Sequence, residues 1–382
     1  MHIITRMVKG GAQEDVLDLV VRVDNKQFIS TLVTGPSDGP EGSLDEKARR
    51  LGADICIVPS LVRDISPFKD LAALFSLVRI IRAQKPDIVH THTSKAGIIG
   101  RIAAWIARTP VVIHSPHGHV FHGYYGKSTT FAFILLERWC ARLATKLIMI
   151  TENERTDHLN LQIAPESKFT VIHSGVDMSP LLDHELSRGV LRSALAIPED
   201  ATLIGTLGRL VPIKGQIHLI DAMPKILRSA PKSHLVLVGS GPLEQDLKKR
   251  AEELGIAELV HFPGYREDVG DCLRDLDIFV LPSINEGMGR ALVEAMALKL
   301  PVVASSVCGI RDLVTHNVNG KLSIVGDAAS IASAVIEFLS DPNDAKRMGE
   351  AAFRTVVPDY GVDTMLTQIE QLYRSEADRA KV

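Results

Sequence analysis

The chain has 382 residues, 46% hydrophobic and 23% charged, with a formal net charge of −3 at pH 7. That length exceeds what one compact core usually holds and favours two domains, while the weak negative balance argues against nucleic acid as a main partner. The four cysteines, Cys56, Cys140, Cys272 and Cys308, form no C-x-x-C pair, which argues against a disulfide framework or zinc site and fits a reducing cytoplasm. The start is too short and too quickly glycine-rich for a signal peptide, and no apolar run reaches the roughly 18 residues of a membrane span.

In chain order, residues 2–7 read as a strand that runs into Lys9-Gly10-Gly11. A helix follows with apolar positions at Val16, Leu17, Leu19, Val20 and Val23. Strand, double glycine and helix is the ligand-facing turn of a Rossmann-like unit, although two glycines also serve simply to tighten a turn. Residues 27–33 and 54–58 read as short strands, 71–83 as an amphipathic helix and 88–90 as a further strand. Thr93 or Ser94 is placed to cap the next helix, which runs through Ile106. Thr109-Pro110 opens a strand over 111–114. This alternation implies a parallel sheet wrapped on both faces. Ligands of such sheets sit beyond the strand C-termini, which puts Gly10-Gly11, His92-Thr93 and S-P-H-G-H (115–119) on one rim.

His114, His117, His119 and His122 form the densest histidine cluster. An H-x-H pair can supply two metal ligands, but no acid or cysteine lies between them and Gly118 suggests a loop. Polar lining, with His117 reaching a ligand hydroxyl, is the preferred reading. Gly126-Lys127-Ser128-Thr129 fails as a P-loop end, because position 121 is Phe121 rather than glycine. Residues 131–144 read as an apolar helix with Arg138 and Arg142 interspersed. It is a core helix by default and a membrane-surface face in the alternative. Residues 147–151 and 169–172 are strands, and 183–198 read as a linker and the first helix of a second domain.

The second half opens with a strand over 203–207 followed by G-R-L-V-P-I-K-G (208–215). Arg209 and Lys214 at a strand end suit a diphosphate, since arginine chelates two oxygens and lysine adds a point charge. The bland alternative is two surface cations near a turn. A strand over 234–238 leads to G-S-G-P (239–242) and a helix over 243–254. The third glycine of a dinucleotide fingerprint would be Glu244, so NAD is disfavoured. Asp275-Leu276-Asp277 is a D-x-D, a pattern that can hold a divalent metal. It precedes its strand, away from the binding rim, and reads as structural. The strand over 278–281 then runs into P-S-I-N-E-G-M-G-R-A-L-V-E-A-M-A. Glu286 falls in the loop, Gly287 and Gly289 permit close backbone approach, and Glu294 lies in the new helix. The loop N–H groups and the helix dipole offer a seat for phosphate oxygens. A strand over 301–304 and helices over 331–339 and 365–373 finish the pattern.

The ordered set G-G, H-G (117–118), H-S-G-V-D (173–177), R…K, G-S-G-P, P-G-Y-R (263–266) and E-x7-E resembles the family-4 retaining glycosyltransferases of GT-B fold. Histidine and serine stand in for the usual residues in H-S-G-V-D. The resemblance implies an α/β chain of two Rossmann-like domains whose parallel sheets face across a cleft. Residues 1–178 would form the acceptor-binding domain, 179–358 the nucleotide-sugar donor domain, and 359–382 a helix crossing back to the first. It implies a catalytic set of His117, Arg209, Lys214 and Glu286. The donor would be held by Gly10, Gly11, Arg209, Lys214, Gly241, Tyr265, Arg266, Glu286, Gly287, Met288, Gly289, Arg290, Ala291, Leu292 and Glu294. The implied partners are a nucleotide-diphosphate sugar, with UDP favoured, and a glycan or lipid-linked acceptor in cell-surface polysaccharide or glycoconjugate synthesis. No metal or other cofactor is expected. The implied location is cytoplasmic, with peripheral contact at the inner membrane surface as an option. A nucleotide-sugar epimerase of the same architecture and a non-catalytic sugar-nucleotide-binding subunit are the competing readings.

Overall fold

A computed structural model describes residues 1–24, 26–37, 42–118, 126–182 and 189–381. The chain forms two compact units. One comprises Met1–Gly175 with Val362–Val382, and the other comprises Val176–Gly361.

The first unit is built on seven parallel strands: β1 (His2–Ile4), β2 (Thr31–Thr34), β3 (Asp54–Ile57), β4 (Ile88–His92), β5 (Val111–Ser115), β6 (Lys146–Met149) and β7 (Phe169–Val171). Their order is β3-β2-β1-β4-β5-β6-β7. The chain leaves β1 in one direction and returns at β4 to continue in the other, so the topological switch point lies between these two strands. Open α/β sheets bind ligands just beyond such a point. Both faces are covered, as a parallel sheet requires. Helices Pro67–Gln84 and Ser94–Ala107 bury Leu77, Ile81, Ala96 and Ala103 against Ile3, Val89 and Val112. Leu19 of helix Gly11–Arg22 and Val362, Met365, Ile369 and Tyr373 of helix Val362–Ala380 pack with Val111, Ile113 and Ile148.

Two local expectations need correction. The strand expected over 27–33 begins only at Thr31, and Ile29 is almost fully exposed, so its apolar character reflects no burial. Thr93 does sit at the N-cap position of helix Ser94–Ala107 but makes no side-chain cap bond. Its φ is 63°, its carbonyl accepts the Gly97 N–H at 2.9 Å, and its own N–H donates to Ser115 O at 3.0 Å.

The second unit has six parallel strands: β8 (Thr202–Leu207), β9 (Ser233–Val238), β10 (Val260–His261), β11 (Ile278–Leu281), β12 (Val302–Ser305) and β13 (Lys321–Ser323). They run in the order β10-β9-β8-β11-β12-β13, which places the switch point between β8 and β11. Leu219 and Met223 of helix Gln216–Ser229 pack with Ile331, Val335 and Phe338 of helix Ala328–Ser340 over Ile204, Leu235, Val280 and Val303.

The D-x-D lies at the opposite, N-terminal end of β11 and is engaged by backbone N–H groups and by Arg192. Asp275 accepts the Gly189 N–H on Oδ1, and the Leu191 and Arg192 N–H groups on Oδ2 at 2.7 and 3.1 Å. Asp277 Oδ2 accepts the Leu203 N–H at 2.7 Å and the Arg192 guanidinium at 2.8 Å. The pair thus clamps the short helix Val190–Ala194 to the start of β8. Residues 183–188 of the expected linker lie outside the described residues.

Candidate active site

In the second unit the loops that leave β8, β9, β10 and β11 are laced together by main-chain bonds. Leu210 N–H donates to Ser240 O at 3.0 Å, Leu243 N–H to Leu210 O at 3.1 Å, and Gly239 N–H to Gly264 O at 2.8 Å. Gly239, at φ 139°, leaves no room for a side chain, since a Cβ would stand 2.1 Å from Gly208 O. Buried Gln216 donates its amide to Arg209 O at 2.9 Å and fixes the start of the β8 loop. Ile284 N–H then bonds Ile213 O at 2.9 Å and ties the β11 loop to the β8 loop across the switch point.

That tie brings two predicted residues together. Lys214 Nζ lies 2.6 Å from Glu286 Oε2, and the buried Ser283 hydroxyl donates to the same oxygen at 3.0 Å. Both charged side chains are largely shielded, at 22% and 15% exposure. Gly289 adopts φ 79°, the left-handed conformation glycine enters without steric cost, and starts helix Arg290–Ala297. The positive end of that helix dipole and its first N–H groups therefore open onto the loop that carries Gly287, Met288 and Glu286. Glu294 is half-buried within the same helix. Arg209 is exposed on the β8 loop, Gly241 follows β9, and Tyr265 and Arg266 follow β10. Arg266 is held by Asp268 through contacts of 2.8 and 2.5 Å. The predicted residues of this unit thus sit on the loops that leave the C-terminal ends of β8–β11 or in helix Arg290–Ala297.

Gly10, Gly11 and His117 belong to the rim of the first unit. Gly10 is extended and precedes helix Gly11–Arg22. His117 (φ 57°) and Gly118 (φ 97°) turn the chain after β5. Buried Glu154 straps this turn, because its carboxylate accepts Gly118 N–H at 3.1 Å and Ile150 N–H at 2.8 Å. Burial outweighs these two donors and pushes its pKa up to about 7. His117 Nε2 lies 2.9 Å from His92 Nδ1, and its Nδ1 lies 3.5 Å from Asp15 Oδ2.

The four-histidine cluster does not act as a unit. His119 and His122 lie outside the described residues. His114 packs against helices Ser94–Ala107 and Lys127–Arg142, beside the buried Arg101–Glu137 pair at 2.6 and 2.7 Å. Burial, then the Arg101 charge, pushes its pKa down to about 3. Among the described residues, one group with metal-ligand spacing is His2, His90 and His92. Most of its nitrogens are already engaged: His2 Nδ1 with His92 Nε2 at 3.1 Å, and His90 with Tyr373 Oη at 2.6 Å and Ser115 Oγ at 2.8 Å. It is a hydrogen-bonded network.

Sequence reading missed Asp15, Glu154, Gln216 and Ser283. One signal was present for Asp15, a carboxylate beside the apolar stripe Val16, Leu17, Leu19 and Val20 of an amphipathic helix. Ser283 bonds Glu286 three residues on, whereas the bond of Glu154 to Gly118 joins partners that only the fold brings together.

Two doubly wound units, one with Arg209, Lys214, Glu286 and a glycine-led helix N-terminus at its switch point, define the GT-B class of sugar-nucleotide enzymes. Residues 187–355 match the family Glycosyl transferases group 1, and residues 10–175 match the Glycosyl transferase 4-like domain. The chain belongs to this glycosyltransferase family. It is 30% identical over 376 residues to an Escherichia coli UDP-Gal:alpha-D-GlcNAc-diphosphoundecaprenol alpha-1,3-galactosyltransferase, covering 97% of this chain and 95% of that one. It is 27% identical to the Staphylococcus aureus capsular polysaccharide biosynthesis glycosyltransferase CapM, over 89% of this chain and 88% of the relative. Among solved structures, Anabaena HepE in complex with UDP and glucose aligns with a TM-score of 0.83 at 24% identity, covering 98% of both chains.

Proposed function

We propose that this chain transfers a sugar from a UDP-sugar to a hydroxyl of a lipid-linked or glycan acceptor, with retained anomeric configuration and without a metal. The observation that carries the reading is the shielded Lys214–Glu286 pair at the second switch point, beside Arg209 and the N-terminus of helix Arg290–Ala297. Arg209 and Lys214 would neutralise the charge that develops on the departing diphosphate, aided by the helix N-terminus. Glu286 would hold sugar hydroxyls and Glu294 the ribose diol. Tyr265 and Arg266 lie on the loop assigned to the base. The C–O bond to the diphosphate breaks, and the acceptor oxygen bonds the anomeric carbon on the same face. A leaving-group phosphate oxygen takes the acceptor proton. The two aspartates with metal-site spacing are committed to backbone N–H groups, so fixed cations are given the electrostatic role. A UDP donor is supported by the names of the Escherichia coli relative and the HepE complex.

Thermal-shift measurements with UDP, GDP, ADP and their common sugars test the donor. A ligand that binds only the native state at a hundredfold excess over Kd adds about 2.7 kcal/mol. The expected result is a shift with UDP and one UDP-sugar that EDTA leaves unchanged. Absence of a shift with every nucleotide removes the reading. Sugar conversion without an acceptor would identify an epimerase instead.

Membrane contact rests on helix Lys127–Arg142, where Phe131, Leu135 and Trp139 are 60%, 47% and 45% exposed at fourfold spacing, with Arg138 alongside. Such a stripe suits the headgroup boundary of a bilayer. No helix among the described residues is long and apolar enough to cross a membrane. The chain should co-sediment with anionic lipid vesicles, and a Phe131→Asp, Trp139→Asp double variant should lose most of that binding while keeping its nucleotide shift. Equal sedimentation of the two proteins would remove the membrane contact.

A further inference from the structure

Three imidazoles in the first unit bond one another in a row. His2 of β1 meets His92 at the end of β4 at 3.1 Å, and His92 meets His117 in the loop after β5 at 2.9 Å. The row runs from the sheet interior to the rim. At its outer end His117 Nδ1 stands 3.5 Å from Asp15 Oδ2 and makes no hydrogen bond among the described residues. Asp15 is itself 2% exposed, and it accepts the Ser174 hydroxyl at 2.5 Å.

A neutral imidazole has one N–H and one lone pair, and which nitrogen carries the proton follows from its partners. Burial, then the neighbouring histidines, holds His92 well below its ordinary pKa, and burial pushes His2 down to about 3. Both rings are therefore neutral at physiological pH. With one proton, His92 donates to one neighbour and accepts from the other, so both bonds form only if the whole row points one way. If the protons sit on Nε2, the row donates toward His2 and the His117 Nδ1 lone pair faces a buried carboxylate oxygen. If they sit on Nδ1, every bond is made and an N–H faces Asp15 instead.

We propose that Asp15 sets the direction of this row, holds His2, His92 and His117 as Nδ1–H tautomers, and is the positioning residue of the rim histidine. Under the transferase reading, on which the consequence rests, His117 Nε2 accepts from His92 and the Nδ1–H is held facing the Asp15 carboxylate. His117 is then presented at the rim as a ring of fixed orientation and moves no proton. An epimerase mechanism, by contrast, would need a free imidazole nitrogen for acid–base work.

Nitrogen-15 NMR of the histidine-labelled full chain tests this without any substrate, so its outcome is separate from that of the nucleotide measurements. Signals are assigned by their loss in His117→Gln and His92→Asn. The expected result is Nδ1 protonation and a bare Nε2 on all three rings, with His117 moving toward Nε2–H in Asp15→Asn. An Nε2–H or doubly protonated His117 in the unaltered chain overturns the proposal. So do unchanged tautomers in a folded Asp15→Asn, and the first criterion stands even where that variant does not fold.

Discussion

Lys214→Ala is expected to lower glycosyl transfer on the order of 100- to 1,000-fold, the usual cost of removing one preorganised group that stabilises transition-state charge. The reasoning starts from placement. Lys214 ends a short turn, Pro212–Lys214, that Ile284 N–H holds against the β11 loop, so the ammonium has little freedom to leave the switch point. Its partner Glu286 keeps a hydrogen bond from Ser283 in the variant but loses its counter-charge. The remaining carboxylate then repels a diphosphate where a cation had attracted it. Both kcat and kcat/KM should fall, because the lost interaction strengthens as charge develops on the leaving group. Lys232→Ala, before the N-terminal end of β9 and on the exposed surface, makes the same charge change and should act like the unaltered chain. A Lys214→Ala enzyme within threefold of normal turnover would remove Lys214 from the chemistry.

Asp275→Ala should leave nucleotide affinity unchanged and destabilise the second unit by roughly 3 kcal/mol. Three backbone N–H groups lose their acceptor at a fully buried position, and each unsatisfied buried donor costs about 1–3 kcal/mol. For a unit of this size that corresponds to a melting shift of about 6–12 °C. Calorimetric unfolding reads the loss, and nucleotide titration with and without manganese reads the alternative. A normal melting temperature with altered metal response would mean that the D-x-D serves the site and not the fold.

The main lines of both units were legible because parallel strands buried on two faces leave unbroken apolar runs. Residues 278–281 are the clearest case, matching β11 in full. Glu286, Gly289 and Glu294 could be placed on loop, cap and helix because a strand end, a breaker and a renewed helical spacing follow each other within a few residues. What escaped is of two kinds. Helix Pro342–Val356 starts from Asp341, whose side chain accepts the Asp344 N–H, and its buried residues are mostly small: Ala345, Gly349 and Ala352 beside Met348 and Val356. Small residues carry little hydrophobic signal. The second kind is polar partnership at long range. Glu154 and Gly118, or His2 and His92, are bonded by a topology that no local window contains. His114 was grouped with His117 by proximity in sequence, but it packs into the interior beside Arg101 and Glu137, away from His92 and Asp15.

The first unit is discontinuous, and this has a consequence for how the protein is made. Leu19, Val111 and Ile113 are covered by Val362, Met365, Ile369 and Tyr373, and the 186 residues of Val176–Gly361 lie between the two pieces. On a ribosome that adds about 5–20 residues per second, an apolar face of the first sheet waits about 10 to 40 s for its cover. By the end of that interval the last residue of the second unit has been added, before the covering helix of the first. The chain therefore finishes its later-encoded half first, and the nascent earlier half is the client a holding chaperone would meet.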